Sequence, residues 1–254
     1  MDFYYIVAGA SVGFIIGLTG VGGGSLMTPL LVLGFNVQPA IAVGTDLLYA
    51  AITKASGVWS HHKLRNIDWG IAKQLCLGSI PGSILCVIAI QYFDISGKTF
   101  DSIISSTLGF MLILTSIVII FKEQISKRFT KRENYAPGPY SIILLGAVLG
   151  ILVTLSSVGA GAIGSALLLI LYPSLKSQKI VGTDIAHAVP LTAIAGMGHF
   201  HLGHIDVSLL ISLLIGSIPA IYIGAILGEK LPEKLLKNFI ATTLMLIGLR
   251  FSTI

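Results

Sequence analysis

The chain has 254 residues, 54% of them hydrophobic and 11% charged, with a mean hydropathy of +0.92. A soluble domain carries about 25% charged residues, so this composition excludes a water-soluble globule and requires most of the surface to face lipid. The net charge of +5 lies in short loops between apolar runs, which assigns it to membrane orientation and excludes nucleic acid as a partner.

Ten apolar segments follow one another, near residues 3–20, 21–34, 41–61, 69–93, 100–121, 140–156, 158–172, 181–201, 206–228 and 235–253. Most approach the roughly 20 residues that a helix needs to cross the hydrocarbon. The first follows Met1-Asp2-Phe3 with no basic region ahead of it, and reads as a retained membrane helix, not a cleaved signal. The second is short and opens on Gly22-Gly23-Gly24-Ser25. A broken helix is expected there, with its free amides and positive dipole end aimed at whatever fills the adjoining cavity. Close helix packing by small residues is the competing explanation.

The third segment contains Gly44-Thr45-Asp46 and Lys54. Thr45 and Asp46 either cap a helix start or face the cavity, Thr45 as a donor and Asp46 as an orienter or proton carrier. Lys54 lies far from both ends of its segment, where a cation is costly. It attracts an anion, pairs with Asp46 eight residues away, or snorkels to an interface. The fourth segment carries Cys76 and Cys86, about 15 Å apart along a helix and so too distant for a disulfide. Pro81, within the same segment, is a kink or hinge candidate.

After the fifth segment comes a polar stretch, residues 122–139, with Lys122, Lys127, Arg128, Lys131, Arg132 and Pro137-Gly138-Pro139. It reads as a basic linker between residues 1–121 and 140–254. In the second half, Ser157, Gly159 and Gly161 border another short segment, and Gly182-Thr183-Asp184 precedes His187, a proton-relay candidate. Pro219 matches Pro81 as a second hinge candidate.

The two halves repeat. Val43-Gly44-Thr45-Asp46 returns as Val181-Gly182-Thr183-Asp184, Ile67-Asp68 as Ile205-Asp206, and Gly78-Ser79-Ile80-Pro81 as Gly216-Ser217-Ile218-Pro219. Val21-Gly22-Gly23-Gly24 pairs with Val158-Gly159-Ala160-Gly161 in nearly the same register. Several matches in register mark an internal duplication. Lys63, Arg65, the central basic residues, Lys176, Lys179, Lys230, Lys234 and Lys237 fall on one side of a ten-crossing chain, against Lys98 and Arg250 on the other. The expected fold is therefore all-α and membrane-spanning, with two inverted repeats of five segments, a cytoplasmic central loop and both termini outside. Were the two short segments re-entrant, Lys176, Lys179 and the Lys230–Lys237 group would move to the outer face, which the charge bias disfavours.

The pattern Gly13-x3-Gly17-x2-Gly20-Val21-Gly22-Gly23-Gly24, then Pro29 and Ala42-Val43-Gly44-Thr45-Asp46, resembles the sulfite exporter TauE/SafE family of membrane transporters. The likeness extends over almost the whole chain. It implies carriage of small sulfur-containing or organic anions such as sulfite or sulfonates, coupled to a proton or sodium gradient. The second-half motif departs from the first, with Ala160 in place of a Gly and Ser156-Ser157 ahead of it, which makes Ser157 a side-chain donor of its own. The expected substrate site is Gly22, Gly23, Gly24, Ser25, Thr45, Ser157, Gly159, Gly161 and Thr183, with Asp46, Lys54, Asp184 and His187 for coupling.

No ATP-binding motif and no Gly-x-Ser-x-Gly elbow occurs, so no enzyme and no cofactor are expected. The alternative is a metal-cation carrier built on His61, His62, His199, His201 and His204. These histidines lack the spacing and the Cys or carboxylate company of a zinc site, so no metal ligands are assigned. Oligomeric state is not legible.

Overall fold

A computed structural model describes residues 3–19, 24–93, 97–129, 138–228 and 233–252. They are helical, with no strand among them. The helices are α1 (Phe3–Thr19), α2 (Gly24–Pro29), α3 (Pro39–Lys63), α4 (Trp69–Tyr92), α5 (Gly97–Phe129), α6 (Pro139–Ser156), α7 (Ala162–Leu171), α8 (Ser177–His201), α9 (Val207–Gly228) and α10 (Glu233–Phe251). Four stretches are long and apolar enough to cross a bilayer: Trp69–Tyr92, Gly97–Lys122, Ser177–His201 and Val207–Leu227. Phe110, Leu144, Ile88 and Tyr222 stand exposed on the outer faces. Helices that are apolar all round are at home in lipid.

α7 has ten residues, about 15 Å of helix and half a bilayer. α2 is shorter still and passes at Pro29 into a π-helical turn, Leu30–Gly34. Proline has no N–H for the carbonyl four residues back and its ring crowds that carbonyl; the widened turn absorbs the misfit.

Element boundaries differ from the sequence reading in two places. α5 continues through Lys122 to Phe129, so residues 122–129 are helix. Polar Lys, Glu, Gln and Arg end the membrane span but are good helix formers, and the two properties part company here. α3 opens at Pro39 and α8 at Ser177, which puts Thr45 and Thr183 inside their helices, not at the caps. Proline is favoured in a first helical turn, where its missing N–H has no intrahelical partner to lose.

The halves pack reciprocally. α1 lies on α9 while α6 lies on α4; α3 crosses α8, and α5 crosses α10. Repeat-equivalent atoms meet in both copies. A Cβ on Gly78 would overlap the Ile143 carbonyl, and one on Gly216 would overlap the equivalent Ile6 carbonyl. These glycines let backbones approach as small residues do between membrane helices. α3 and α8 run antiparallel: Gly44 meets His199 and His204, Leu48 meets Gly196, Gly57 meets Ile185, and Gly182 meets His61 and Asn66. The contacts of Gly44 with His199 and His204 and of Gly182 with His61 and Asn66 are equivalent under exchange of halves.

Two polar fasteners close this crossing. The Asp68 backbone N–H donates to Thr183 Oγ1 at 2.9 Å, and the Asp206 N–H to Thr45 Oγ1 at 3.2 Å. The same aspartates cap the following helices. Asp68 Oδ1 accepts from Gly70 and Ile71, and Asp206 Oδ1 from Leu209. Asp68 also pairs with Lys179 at 3.4 Å; the position equivalent to Lys179 is Ile41, so that ion pair exists at one end only.

Candidate functional site

The break between α6 and α7 is built from three unusual backbone conformations. Ser157 ends α6 in the left-handed region at φ +57°, and Gly159 and Gly161 follow at +116° and +147°. Serine rarely adopts such a φ, whereas glycine does so freely. Ser157 N–H closes on Val153 O at 2.8 Å, and Ser156 Oγ accepts the Val158 N–H. Gly161 then starts α7 with no side-chain hydrogen bond to cap it, so the first-turn amides and the positive end of the dipole face the break. Ser157 is 3% exposed, and its buried hydroxyl faces the Asp46 carboxylate.

α3 and α8 bring charge to this break. Lys54 Nζ donates to the Ala160 carbonyl at 2.7 Å, so the side chain turns inward instead of snorkelling to an interface. Asp184 and Asp46 are the carboxylates that act on it electrostatically. The Asp46 carboxylate is fully buried, and Thr28 donates to its Oδ2 at 2.5 Å. Ser157 lies beside it. The Asp184 carboxylate fills the space where a side chain on Gly164 would go, and its Oδ1 is buried and unpartnered. His187 Nε2 meets Ser79 Oγ at 2.8 Å, and its Nδ1 is buried without a partner.

The sequence-predicted residues thus divide. Ser157, Gly159, Gly161, Asp46, Lys54 and Asp184 come together at the α6–α7 break. Thr45 and Thr183 accept the backbone N–H groups that fasten the halves, each keeping its own O–H to donate. Ser25 is buried in the first turn of α2, and Gly24 begins that helix. Gly22 and Gly23 fall outside the described residues, as do residues 130–137 of the basic stretch. Pro81 and Pro219 sit on the outward faces of helices that run on past them, so neither lines the break.

Three features escaped the sequence reading. Thr28 holds Asp46, and Ser79 holds His187; the repeat partner of Ser79, Ser217, faces Tyr49, which occupies the position equivalent to His187. Pro190 lies inside α8 near the middle of the crossing. Ser79 and Ser217 stand in the repeated Gly-Ser-Ile-Pro motif, and a hydroxyl repeated within an apolar helix was the available signal.

Compared with known families, residues 5–251 match the sulfite exporter TauE/SafE model. The chain belongs to the sulfite exporter TauE/SafE family. It is similar to the "Probable membrane transporter protein YjnA" of Bacillus subtilis (strain 168), 38% identical over 254 residues covering 98% of this chain and 99% of that one. It also resembles the B. subtilis "Probable membrane transporter protein YdhB", 28% identical over 93% of this chain and 94% of the other. The "Probable membrane transporter protein MJ0441" of Methanocaldococcus jannaschii is 25% identical over 96% and 92%. No solved structure matches. This TauE/SafE chain is therefore a membrane transporter of that type.

No group of three His, Cys, Asp or Glu side chains that could hold a metal occurs among the described residues. The histidines are split between the two ends of the α3–α8 crossing, because His61 and His199 are repeat equivalents on antiparallel helices. His199 donates from Nε2 to Thr154 O at 2.9 Å and leans on His204 and Phe100. His62 packs edge-on against Trp69. A groove bordered by Lys73, Cys76, Leu77, Ile80 and Pro81 lies on the outer face of α4 alone, away from this chemistry.

Proposed function

We propose that this TauE/SafE protein is a secondary transporter of small sulfur oxyanions such as sulfite or sulfonates, which bind at the α6–α7 break. The observation that carries the reading is the start of α7 without a side-chain cap, with the buried Ser157 hydroxyl and the Lys54 ammonium beside it. Helix N-terminus, hydroxyl donor and cation are three separate reasons for an anion to bind there. The family description supplies sulfite as the starting substrate.

The two halves work as five-segment units inserted upside down relative to one another, so ten segments place the basic central stretch in the cytoplasm and both termini outside. Reciprocal packing of α1 on α9 and α6 on α4 supports a two-fold relation, and the basic loop bias supports an axis in the membrane plane. Alternating access follows if the halves exchange conformations about the α3–α8 crossing, exposing the break first to one side and then to the other. Gly22, Gly23, Gly24 and Ser25 complete the site from the first half.

The test is flux of labelled sulfite and of a labelled alkylsulfonate into proteoliposomes. Saturable uptake of either, weakened by Lys54→Met and Ser157→Ala, is expected. Lack of saturable uptake of any sulfur oxyanion overturns the substrate class.

A further inference from the structure

Three charges stand in a row along the α6–α7 break. Ser157 lies beside Asp46, Ala160 takes the Lys54 ammonium, and Gly164 faces Asp184. Asp46 and Lys54 are eight residues apart on α3, about 12 Å along the axis. The antiparallel α8 sets Asp184 toward the opposite end of the crossing. The two carboxylates are repeat equivalents, but the position equivalent to Lys54 is Thr192. The duplication therefore kept two acids and one base, and that base acts electrostatically on both.

The other titratable groups around the row do not supply a second ammonium at its centre. Lys122, from α5, ends that helix's apolar stretch and acts on Asp184 less than Lys54 does. His187 is bonded to Ser79, and Tyr49 faces Ser217. Asp184 keeps one buried oxygen without a partner, and Asp46 is met by the Thr28 and Ser157 hydroxyls, not by a cation in contact. An ionised carboxylate buried without its own counter-ion takes up a proton rather than stay charged. An incoming anion adds a further negative charge to the row and deepens the demand. By linkage, anion binding and protonation must then favour one another.

We propose that Asp46 and Asp184 carry a proton across the membrane together with the anion, sharing Lys54, the cation that acts on both, to neutralise whichever of them is ionised. The proton comes from the side to which the break is open, resides on a carboxylate oxygen during the crossing, and leaves with the anion on the other side. Lys54 then turns to the carboxylate that has been vacated. This rests on the oxyanion reading of the site for its cargo, though not for the protonated carboxyl itself.

The experiment has two arms. In the first, proteoliposomes holding a pH-sensitive dye receive a gradient of labelled alkylsulfonate, a strong-acid anion that brings no proton of its own near neutrality. The expected result is inward proton movement on the order of one per sulfonate. That ratio is lost in Asp46→Asn or Asp184→Asn and kept in the matching Glu variants. Sulfonate entry with no accompanying proton overturns the proposal. In the second arm, infrared difference spectra of the purified full chain, free of substrate, are taken from neutral to alkaline pH. A protonated carboxylic-acid carbonyl band, abolished by one of the two Asn substitutions, is expected. Carboxylates ionised throughout, with no such band, overturn the proposal. If no sulfur oxyanion crosses at all, the substrate reading fails, and the infrared arm decides the proton carrier by itself.

Discussion

Replacing Thr183 by Val separates a fastening role from a substrate role. Valine keeps the shape of the side chain and removes the oxygen that accepts the Asp68 N–H at 2.9 Å. Leaving a largely buried donor without its partner costs about 1–3 kcal/mol. The neighbouring ion pair does not make up the loss, since the Lys179 and Asp68 side chains are 38% and 31% exposed and such pairs contribute roughly 0–1 kcal/mol. Thr45→Val removes the longer 3.2 Å bond to Asp206 and belongs at the low end of the same range. The two sites lie at opposite ends of the α3–α8 crossing, so the losses should add to within about 0.5 kcal/mol. The assay is the temperature at which half of the detergent-purified protein leaves its monodisperse peak. A drop of roughly 2–4 °C per kcal/mol is expected, with Thr183→Ser, which keeps the hydroxyl, close to wild type. An unchanged midpoint for Thr183→Val, together with a raised KM for anion flux, would refute the fastening role and return Thr183 to the binding site.

Lys54→Met should weaken oxyanion uptake roughly 10- to 100-fold, the worth of a lost charge-assisted contact of about 1.5–3 kcal/mol, and Lys54→Arg should recover part of it in the same flux assay. Gly78→Leu and Gly216→Leu should each abolish the folded, monodisperse protein in size-exclusion chromatography, because the new side chain meets backbone carbonyls of Ile143 and Ile6. His204, in the loop between α8 and α9, is held below the usual histidine range by burial, with Asp101 opposing the shift. The folded protein therefore binds that proton less well than the unfolded chain, so stability is complete above the ordinary histidine pKa of about 6.5 and declines as pH falls below it. His204→Gln should flatten that acid limb of the midpoint-versus-pH curve.

Much of the fold was legible because lipid imposes a long, uniform apolar code on each helix. All ten segments read from hydropathy have a helix in the structure, and the two short ones fall at α2 and α7. Boundaries were less legible. Lys122 to Phe129 are polar and helical at once, so hydropathy stopped where the membrane span stops. The candidate site was half legible. Gly159 and Gly161 announced the break, and Lys54 announced itself by its cost. Thr45 and Thr183 were ambiguous, because the repeat that marks them suits a bond between halves as well as a bond to cargo. Which hydroxyl meets which N–H across 115 or 161 residues is a tertiary fact with no local signature. Thr28 was hidden for the same reason, since its partner Asp46 lies on the next helix.

The exchange of partners between halves also constrains biogenesis. Gly9 of α1 finds its seat against Leu213 of α9, so a ribosome must synthesise some two hundred residues before the first helix can dock. Until then its glycine-notched face is open to lipid, or to any other helix small enough to enter. The first half made alone would leave α1, α3, α4 and α5 without their partners in the second, whereas two halves produced as separate polypeptides carry every contact needed to find each other. A duplicated gene whose products first met as independent chains would have had this architecture before fusion tied them together.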